Sequence, residues 1–447
     1  MRLQVSHSHR GLIVRSAILG AMDCFVIQPN GALQGRVRAG GAKNSVLKLM
    51  AACLLAEGTH TLSNVPRIAD VDVMSDVLRG LGAKVERLSD GDLVIDSPAA
   101  SMLSSEAPGD LVERMRASIV VLGPLLARCS RARISMPGGD DFGSRPIDIH
   151  LSGLSALGAC FESVDGYVEG RVESTGPGRY GRLVGGRVVL DYPSHTATDN
   201  LLMAAVLAKG TTVIENAARE PEVCDLASFL SSMGARVRGA GTSRIEVDGV
   251  EELHPARHRV VTDRVVAATY LAAVGLAGGE VLVEDARLDH MEMLVRKFSA
   301  MGMRIEQSSE GVRAVAEGRM RSVDVVTLPY PGVATDYKPL LVTMLSVADG
   351  VGIVTENIFS GRFRYVDELR RMGADVRTEG HHAVVRGVAR LTGASVRASD
   401  IRAGASLVLA GLVAEGETEV SGAHHVDRGY EDLAEGLRVL GARVYRR

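Results

Sequence analysis

The sequence predicts an α/β fold assembled from six repeated units. Three observations carry that prediction. A short motif, Leu or Met followed by Gly and usually Ala, recurs at Gly82, Gly158, Gly234, Gly302, Gly373 and Gly441, at intervals of 76, 76, 68, 71 and 68 residues. Apolar stretches of helical length precede most of these motifs. Segments that alternate polar and apolar residues follow them, among them Lys84-Val85-Glu86, Arg236-Val237-Arg238 and Arg443-Val444-Tyr445.

Each element of the unit has a physical reason. The stretches 46–56, 201–209, 267–277, 340–348 and 407–415 are apolar nearly all round, so they read as helices buried on most sides. Each is followed by a glycine (Gly58, Gly210, Gly278, Gly350, Gly416) and then by a strand such as Thr211-Thr212-Val213-Ile214. An amphipathic helix comes next, as at 73–81 or 366–372, and the motif glycine is its C-cap, where a missing Cβ permits the left-handed conformation. The spacing between the two glycines is 23 to 25 residues in these five units. The unit is therefore helix, strand, loop, helix, strand. Repeats of about 70 residues exceed solenoid units, so two compact domains of three units are predicted rather than a stacked superhelix.

Composition sets the class. The 447 residues exceed one ordinary core. A hydrophobic share of 46% and a charged share of 23% belong to a soluble globular chain, and a net charge of −3 gives no argument for nucleic acid. Cys24, Cys53, Cys129, Cys160 and Cys224 are scattered and odd in number, which predicts structural thiols in a reducing compartment. No apolar run reaches the roughly 18 residues of a membrane helix. Residues 1–21 differ from the rest, and we expect an upstream extension ahead of a start at Met22.

The chemistry concentrates where the repeat is interrupted. The second unit's helix 118–126 is followed by Pro137-Gly138-Gly139-Asp140-Asp141-Phe142-Gly143-Ser144-Arg145-Pro146, a loop whose glycines and ionisable groups predict a mobile functional segment at 137–146. Lys43 and Asn44 follow Gly40-Gly41-Ala42 at the start of a buried helix, where exposed N–H groups attract an anion, although the P-loop spacing is absent. Arg116, Arg145, Arg362, Arg402 and Arg428 stand near unit junctions, and their donor forks suit carboxylate and phosphate. Together they predict an anionic small-molecule site between the domains. Thr335-Asp336 precedes another apolar helix in an N-cap position. The twelve histidines show no metal-ligand spacing, so neither a metal nor a cofactor is expected.

These residues carry a resemblance that runs from about Met22 to the end of the chain. Gly41-Ala42-Lys43-Asn44, Met115-Arg116-Ala117-Ser118, Pro137-Gly138-Gly139, Arg145-Pro146-Ile147-Asp148, Glu215-Asn216-Ala217-Ala218-Arg219-Glu220-Pro221, Thr335-Asp336, Arg402-Ala403 and Asp427-Arg428-Gly429-Tyr430 resemble the enolpyruvyl transferases. The likeness is to the UDP-N-acetylglucosamine 1-carboxyvinyltransferases of peptidoglycan precursor synthesis. It implies a two-domain inside-out α/β barrel, with 22–42 plus 261–447 as one domain and 43–260 as the other. It also implies cytoplasmic enolpyruvyl transfer from phosphoenolpyruvate to the 3-hydroxyl of UDP-N-acetylglucosamine, with consequences for cell shape and division. By the same resemblance Lys43, Arg145 and Arg428 hold the phosphate and carboxylate of phosphoenolpyruvate, supported by Arg116 and Arg402. Asn44 contacts the sugar. The segment Arg145-Pro146-Ile147-Asp148-Ile149 contacts the uracil nucleotide, Asp336 is the base, Ile358 lines the acceptor pocket, and Ser194 and Arg362 belong to the substrate-binding set.

The chain departs from the family at three places. Most members have Cys where Asp140 stands. A carboxyl group acts as an acid near neutral pH only if its pKa is raised, and burial or the neighbouring Asp141 charge would raise it. The family's Ser-Val-Gly-Ala-Thr reads Ser194-His195-Thr196-Ala197-Thr198, which crowds a close backbone approach and adds a candidate cation at His195. The family's Glu-Asn reads Ser360-Gly361 before Arg362. The altered Ser194–Thr198 segment keeps a second acceptor open, another uridine nucleotide such as UMP. A catalytically silent nucleotide-binding regulator is the third reading.

Asp140 in the place of Cys leads to a direct expectation. Fosfomycin alkylates the family's cysteine, so it leaves this chain active, and intact-mass analysis after incubation shows no covalent adduct. Time-dependent inactivation with an added mass would overturn Asp140 as the acid.

Overall fold

The computed structural model describes residues 23–29, 31–138, 147–173, 181–359 and 361–447. The expectations for residues 1–21, Asp140, Arg145 and Pro146 lie outside the described residues, as does most of the 137–146 segment.

Six helices run through the interior: Lys43–Ala52, Leu122–Cys129, His195–Ala205, Arg264–Ala277, Lys338–Val347 and Ile401–Gly411. They are buried along most of their length, as all-round apolar sequence requires. Five of them start two to six residues before the apolar runs that announced them. The additional first turns carry polar and charged side chains that are buried all the same, Asp199, Arg264, Lys338 and Arg402 among them.

Four-stranded sheets lie outside these helices. In the first unit, Gly58–Ser63 pairs antiparallel with Leu93–Ser97, which pairs antiparallel with Lys84–Arg87; on its other side Gly58–Ser63 runs parallel to Arg257–Arg259. The same order recurs around Thr211–Glu215, Gly279–Glu284 and Val351–Thr355. Among the described residues the second unit has three strands, plus a parallel bridge from Glu106 to Arg133. In the last unit the return strand is Cys24–Gln28, from the other end of the sequence, between Thr418–Ser421 and Arg443–Arg446. Helices inside and sheets outside match the inside-out arrangement, but among the described residues the sheets stay separate and close no barrel.

The motif glycines behave as C-caps: all six have φ between 88° and 117°. The helix-strand-loop-helix-strand unit expected from sequence lacks two strands that the structure contains. One is the return strand, such as Leu93–Ser97, and the other is the parallel strand, which comes from before the unit's first strand or from a distant segment such as Arg257–Arg259.

Buried apolar side chains form two separate cores. One gathers residues between Phe25 and Ala39 with residues between Val265 and Val444; the other runs from Val46 to Val260. The chain passes between them twice, and the two passages pair: Ala42 N–H donates to Val261 O (2.7 Å) and Asp263 N–H to Gly40 O (2.9 Å). Gly41 lies at this crossing, where an added Cβ would come 1.9 Å from Asn64 O. No helix among the described residues is long and apolar enough to cross a membrane.

The crossing is sensitive to one methyl group. We expect Gly41→Ala to lower unfolding stability by about 3 kcal/mol, because backbone has to move to admit it. Urea denaturation of the variant against wild type measures the loss.

Candidate active site

The N-terminal ends of four of the buried helices, and the 3₁₀ turns that lead into the other two, open onto one cavity of about 300 Å³ between the two cores. Lys43 and Asn44 come from the first helix, Ser194, His195 and Thr196 from the third, Arg264 from the fourth and Arg402 from the sixth. Arg116 and the Thr335-Asp336 pair stand on 3₁₀ turns that lead into the second and fifth. Unpaired N–H groups and aligned dipoles at such ends favour negative charge. Five of the expected cationic residues, Lys43, Arg116, Arg362, Arg402 and Arg428, line this one space.

Two carboxylates, one buried and one partly buried, organise the cations. Asp70 accepts from Lys43 Nζ at 2.8 Å and from Arg428 Nε at 2.9 Å. Because Arg428 belongs to the other core, this contact ties the two halves together. Burial works against the charge on Asp70, but Lys43 and Arg428 outweigh it and hold the carboxyl below its ordinary range. Burial also lowers the pKa of Lys43, and Asp70 opposes that. The second carboxylate is Asp336. Its Oδ1 lies 2.7 Å from Arg362 Nη1 and its Oδ2 3.4 Å from Arg402 Nε. Desolvation again favours the neutral acid, yet Arg362, Arg402 and Lys43 hold Asp336 far below the usual carboxylate range. Arg116 reaches the segment before the loop, donating to Pro137 O at 3.3 Å.

The Ser194–Thr198 segment is the third helix's first turn. Ser194 caps it, accepting from Ala197 N–H at 3.4 Å. His195 adds no cation, contrary to its reading from sequence. Burial and the nearby Lys48 and Arg264 charges drive its pKa well below the ordinary value. Its Nε2 lies 3.3 Å from Asp199 Oδ2, and burial pushes Asp199 up to about 7. Thr196 turns its hydroxyl to His150 Nε2 at 3.3 Å. Asn200 Nδ2 donates to His150 Nδ1 (3.1 Å), so the imidazole carries its proton on Nε2 and donates it to Thr196. Asn200 is fixed in that orientation by Ile119 O and Gly123 N–H.

Not every expected residue reaches the cavity. Ile147 is buried in the second core, Asp148 starts the helix Asp148–Ser155 on the exposed side, and Ile149 packs against the same core; none of the three lines the cavity wall. Ile358 does line it. Sequence reasoning missed Asp70, Lys48, Tyr192, Glu220, Arg264 and Tyr330, all in the wall. Asp70 had a signal: it shares a helical face with Val73, Met74 and Val77, and an acid there is buried. Arg264 had one too, as a charge inside an apolar run; it bonds Glu222 at 3.0 Å and the Tyr337 hydroxyl at 3.0 Å.

The sequence model described as EPSP synthase (3-phosphoshikimate 1-carboxyvinyltransferase) matches residues 27–437. The chain belongs to the enolpyruvyl transferase family. A UDP-N-acetylglucosamine 1-carboxyvinyltransferase of Nocardia farcinica is 51% identical over 427 residues, covering 94% of this chain and 98% of the relative. A protein of the same name from Mycobacterium tuberculosis is 48% identical, covering 94% and 98%. Among solved structures, the enolpyruvyl transferase NikO from Streptomyces tendae superposes with a TM-score of 0.83 at 25% identity, covering 95% of this chain and 99% of that one. EPSP synthase from Acinetobacter baumannii shares the fold, with a TM-score of 0.73 at 19% identity over 95% and 100% of the two chains. The two-domain α/β architecture of enolpyruvyl transferases is therefore the fold of this chain.

His150 gives the site a pH signature. Burial, aided by Arg116, lowers its pKa from 6.5 to about 4. The folded state thus keeps the neutral ring while the unfolded chain takes a proton below about pH 6.5. Full stability is present above that pH, and about 3 kcal/mol is lost as pH falls to about 4. Urea midpoints from pH 7 to 4 should fall less steeply in His150→Asn than in wild type.

Proposed function

We propose that the chain transfers the enolpyruvyl group of phosphoenolpyruvate to the 3-hydroxyl of UDP-N-acetylglucosamine and releases phosphate, the first committed step of peptidoglycan precursor synthesis. One observation carries the reading: a single cavity gathers Asp336 with Lys43, Arg116, Arg362, Arg402 and Arg428, in a chain 46–51% identical to curated relatives of that activity. The relatives' shared acceptor name does not favour UMP, and the retained ionisable set does not favour a silent regulator.

The chemistry assigns the roles. The acceptor hydroxyl attacks C2 of phosphoenolpyruvate and gives its proton to Asp336, while Asp140 delivers a proton to C3. The tetrahedral adduct then loses a C3 proton and expels phosphate, restoring the double bond. Lys43, Arg145 and Arg428 hold the phosphate and carboxylate, with Arg116 and Arg402 supporting, so negative charge is neutralised where it accumulates. Asn44, Pro146, Ile147, Asp148, Ile149, Ser194, Ile358 and Arg362 complete the acceptor side. In the ligand-free site Asp336 is a poor base because two arginines stabilise its anion. Anionic substrate that draws Arg402 away raises its basicity where it is needed.

Residues 22–42 with 261–447 form one domain and 43–260 the other; the two separate cores support this division. All five cysteines are free thiols, which supports a reducing compartment and hence the cytoplasm, and a role through the wall in cell shape and division.

Phosphate release is the decisive assay. With phosphoenolpyruvate and UDP-N-acetylglucosamine the chain turns over, and Asp336→Asn lowers kcat by about 10²- to 10⁴-fold. Turnover with UMP alone would overturn the acceptor.

A further inference from the structure

Lys338 is the first residue of the fifth buried helix, yet it does not line the cavity. Its ammonium turns the other way, into the protein. There Nζ lies 3.1 Å from Glu356 Oε2, donates to Arg362 O and sits 3.7 Å from the centre of the Phe363 ring. Both side chains of the Lys338–Glu356 pair are wholly buried.

Glu356 is the hub of the segment that follows its strand. Its Oε1 accepts from Thr327 Oγ1 (2.8 Å), Ile358 N–H (2.8 Å) and Phe359 N–H (3.1 Å). Its Oε2 accepts from Thr335 Oγ1 at 2.7 Å. Thr335 in turn accepts from Arg362 Nη1 at 3.1 Å, and the same Nη1 reaches Asp336 at 2.7 Å. A continuous chain of contacts therefore runs from the buried Lys338 and Glu356 through Thr335 to Arg362 and Asp336 at the cavity.

A buried pair of this kind is a weak source of net stability, because desolvating two charges offsets their attraction. Its effect is geometric: opposite charges with fixed partners admit one arrangement of the backbone around them. Ile358, Phe359 and Arg362 reach the cavity from that backbone.

We propose that Lys338 is a positioning residue of the transferase site: its ammonium clamps the Glu356 carboxylate and the Arg362 carbonyl, and so holds Arg362 and Thr335 where they aim Asp336 into the cavity. This rests on the transferase reading above. The clamp needs the charged amine. The charged and titratable groups around it are Glu356, Arg362, Asp336 on the preceding turn, Asp400 at the cap of the sixth helix, and Tyr365. Burial lowers the Lys338 pKa to about 8, with Glu356 opposing. The clamp is thus intact below about pH 8 and opens as the amine loses its proton above it.

Two variants and two readouts decide the matter. Lys338→Met removes both contacts. We expect kcat to fall by about tenfold to a hundredfold, the effect of a small misplacement at a reacting group. KM for phosphoenolpyruvate should stay within about threefold, since Lys43 and Arg428 are untouched. The Ile358 and Phe359 amides should exchange faster with deuterated water. Lys338→Gln keeps a donor without the charge; its kcat should fall as in Lys338→Met and show no further alkaline fall near pH 8, whereas wild-type kcat in this variant would overturn the clamp. Wild-type kcat and amide protection in Lys338→Met, or an unchanged alkaline fall in Lys338→Gln, would overturn the clamp. Absence of turnover in wild type would instead sink the transferase reading, and amide exchange would still decide the clamp.

Discussion

The concentration of positive potential at one point is the constraint on which the molecule depends. Four buried helices and the 3₁₀ turns leading into two more present their N-terminal ends to a single cavity, and lysine and arginine side chains add full charges there. Such a site without ligand repels itself. Asp70 and Asp336 offset part of this: Asp70 is buried and Asp336 partly so, each stays ionised against the pull of desolvation, and each binds two of the cations. The cavity keeps an excess of positive charge, and an entering anion exchanges partners with groups already in place. That is an economical form of preorganisation, since few side chains have to be gathered from solvent.

The architecture follows from the same demand. A helix can offer its end to the centre only if its whole length is buried, and that requires apolar residues on every face. The sheets are then displaced to the outside, where their outward faces carry ion pairs such as Glu280 with Arg313 and Arg187 with Glu215. Apart from Lys48 and Arg128, which lie further along, charge is largely excluded from the helix bodies and admitted mainly towards their N-terminal ends. There it is either paired in the wall, as with Arg264 and Glu222, or directed into the cavity.

That division governs what could be read from sequence. The repeat glycines were legible because a left-handed C-cap almost dictates its residue, and the buried helices because a helix apolar on every face is stable only when surrounded by protein. Helix starts were misplaced because Asp199, Arg264 and Arg402 look like loop residues until the cavity that accommodates them is known. The parallel strand Arg257–Arg259 was invisible, since so short a segment carries no period and its partner Gly58–Ser63 lies far away in sequence. The cations were found as a class through resemblance and residue type. The partners of Asp70 and the lowered pKa of His195 were not, because a side chain's counter-ions and its desolvation are properties of the fold.

The strand Cys24–Gln28 fits between Thr418–Ser421 and Arg443–Arg446, so the last sheet cannot assemble until the two ends of the described chain meet. The core running from Val46 to Val260 needs no such partner and is contiguous in sequence. During synthesis it can condense while the residues ahead of it wait, unsatisfied, for a strand made hundreds of residues later. Half of the cavity can therefore be built early, and the other half, with Asp336, Arg402 and Arg428, is completed only once the strand Arg443–Arg446 has been made.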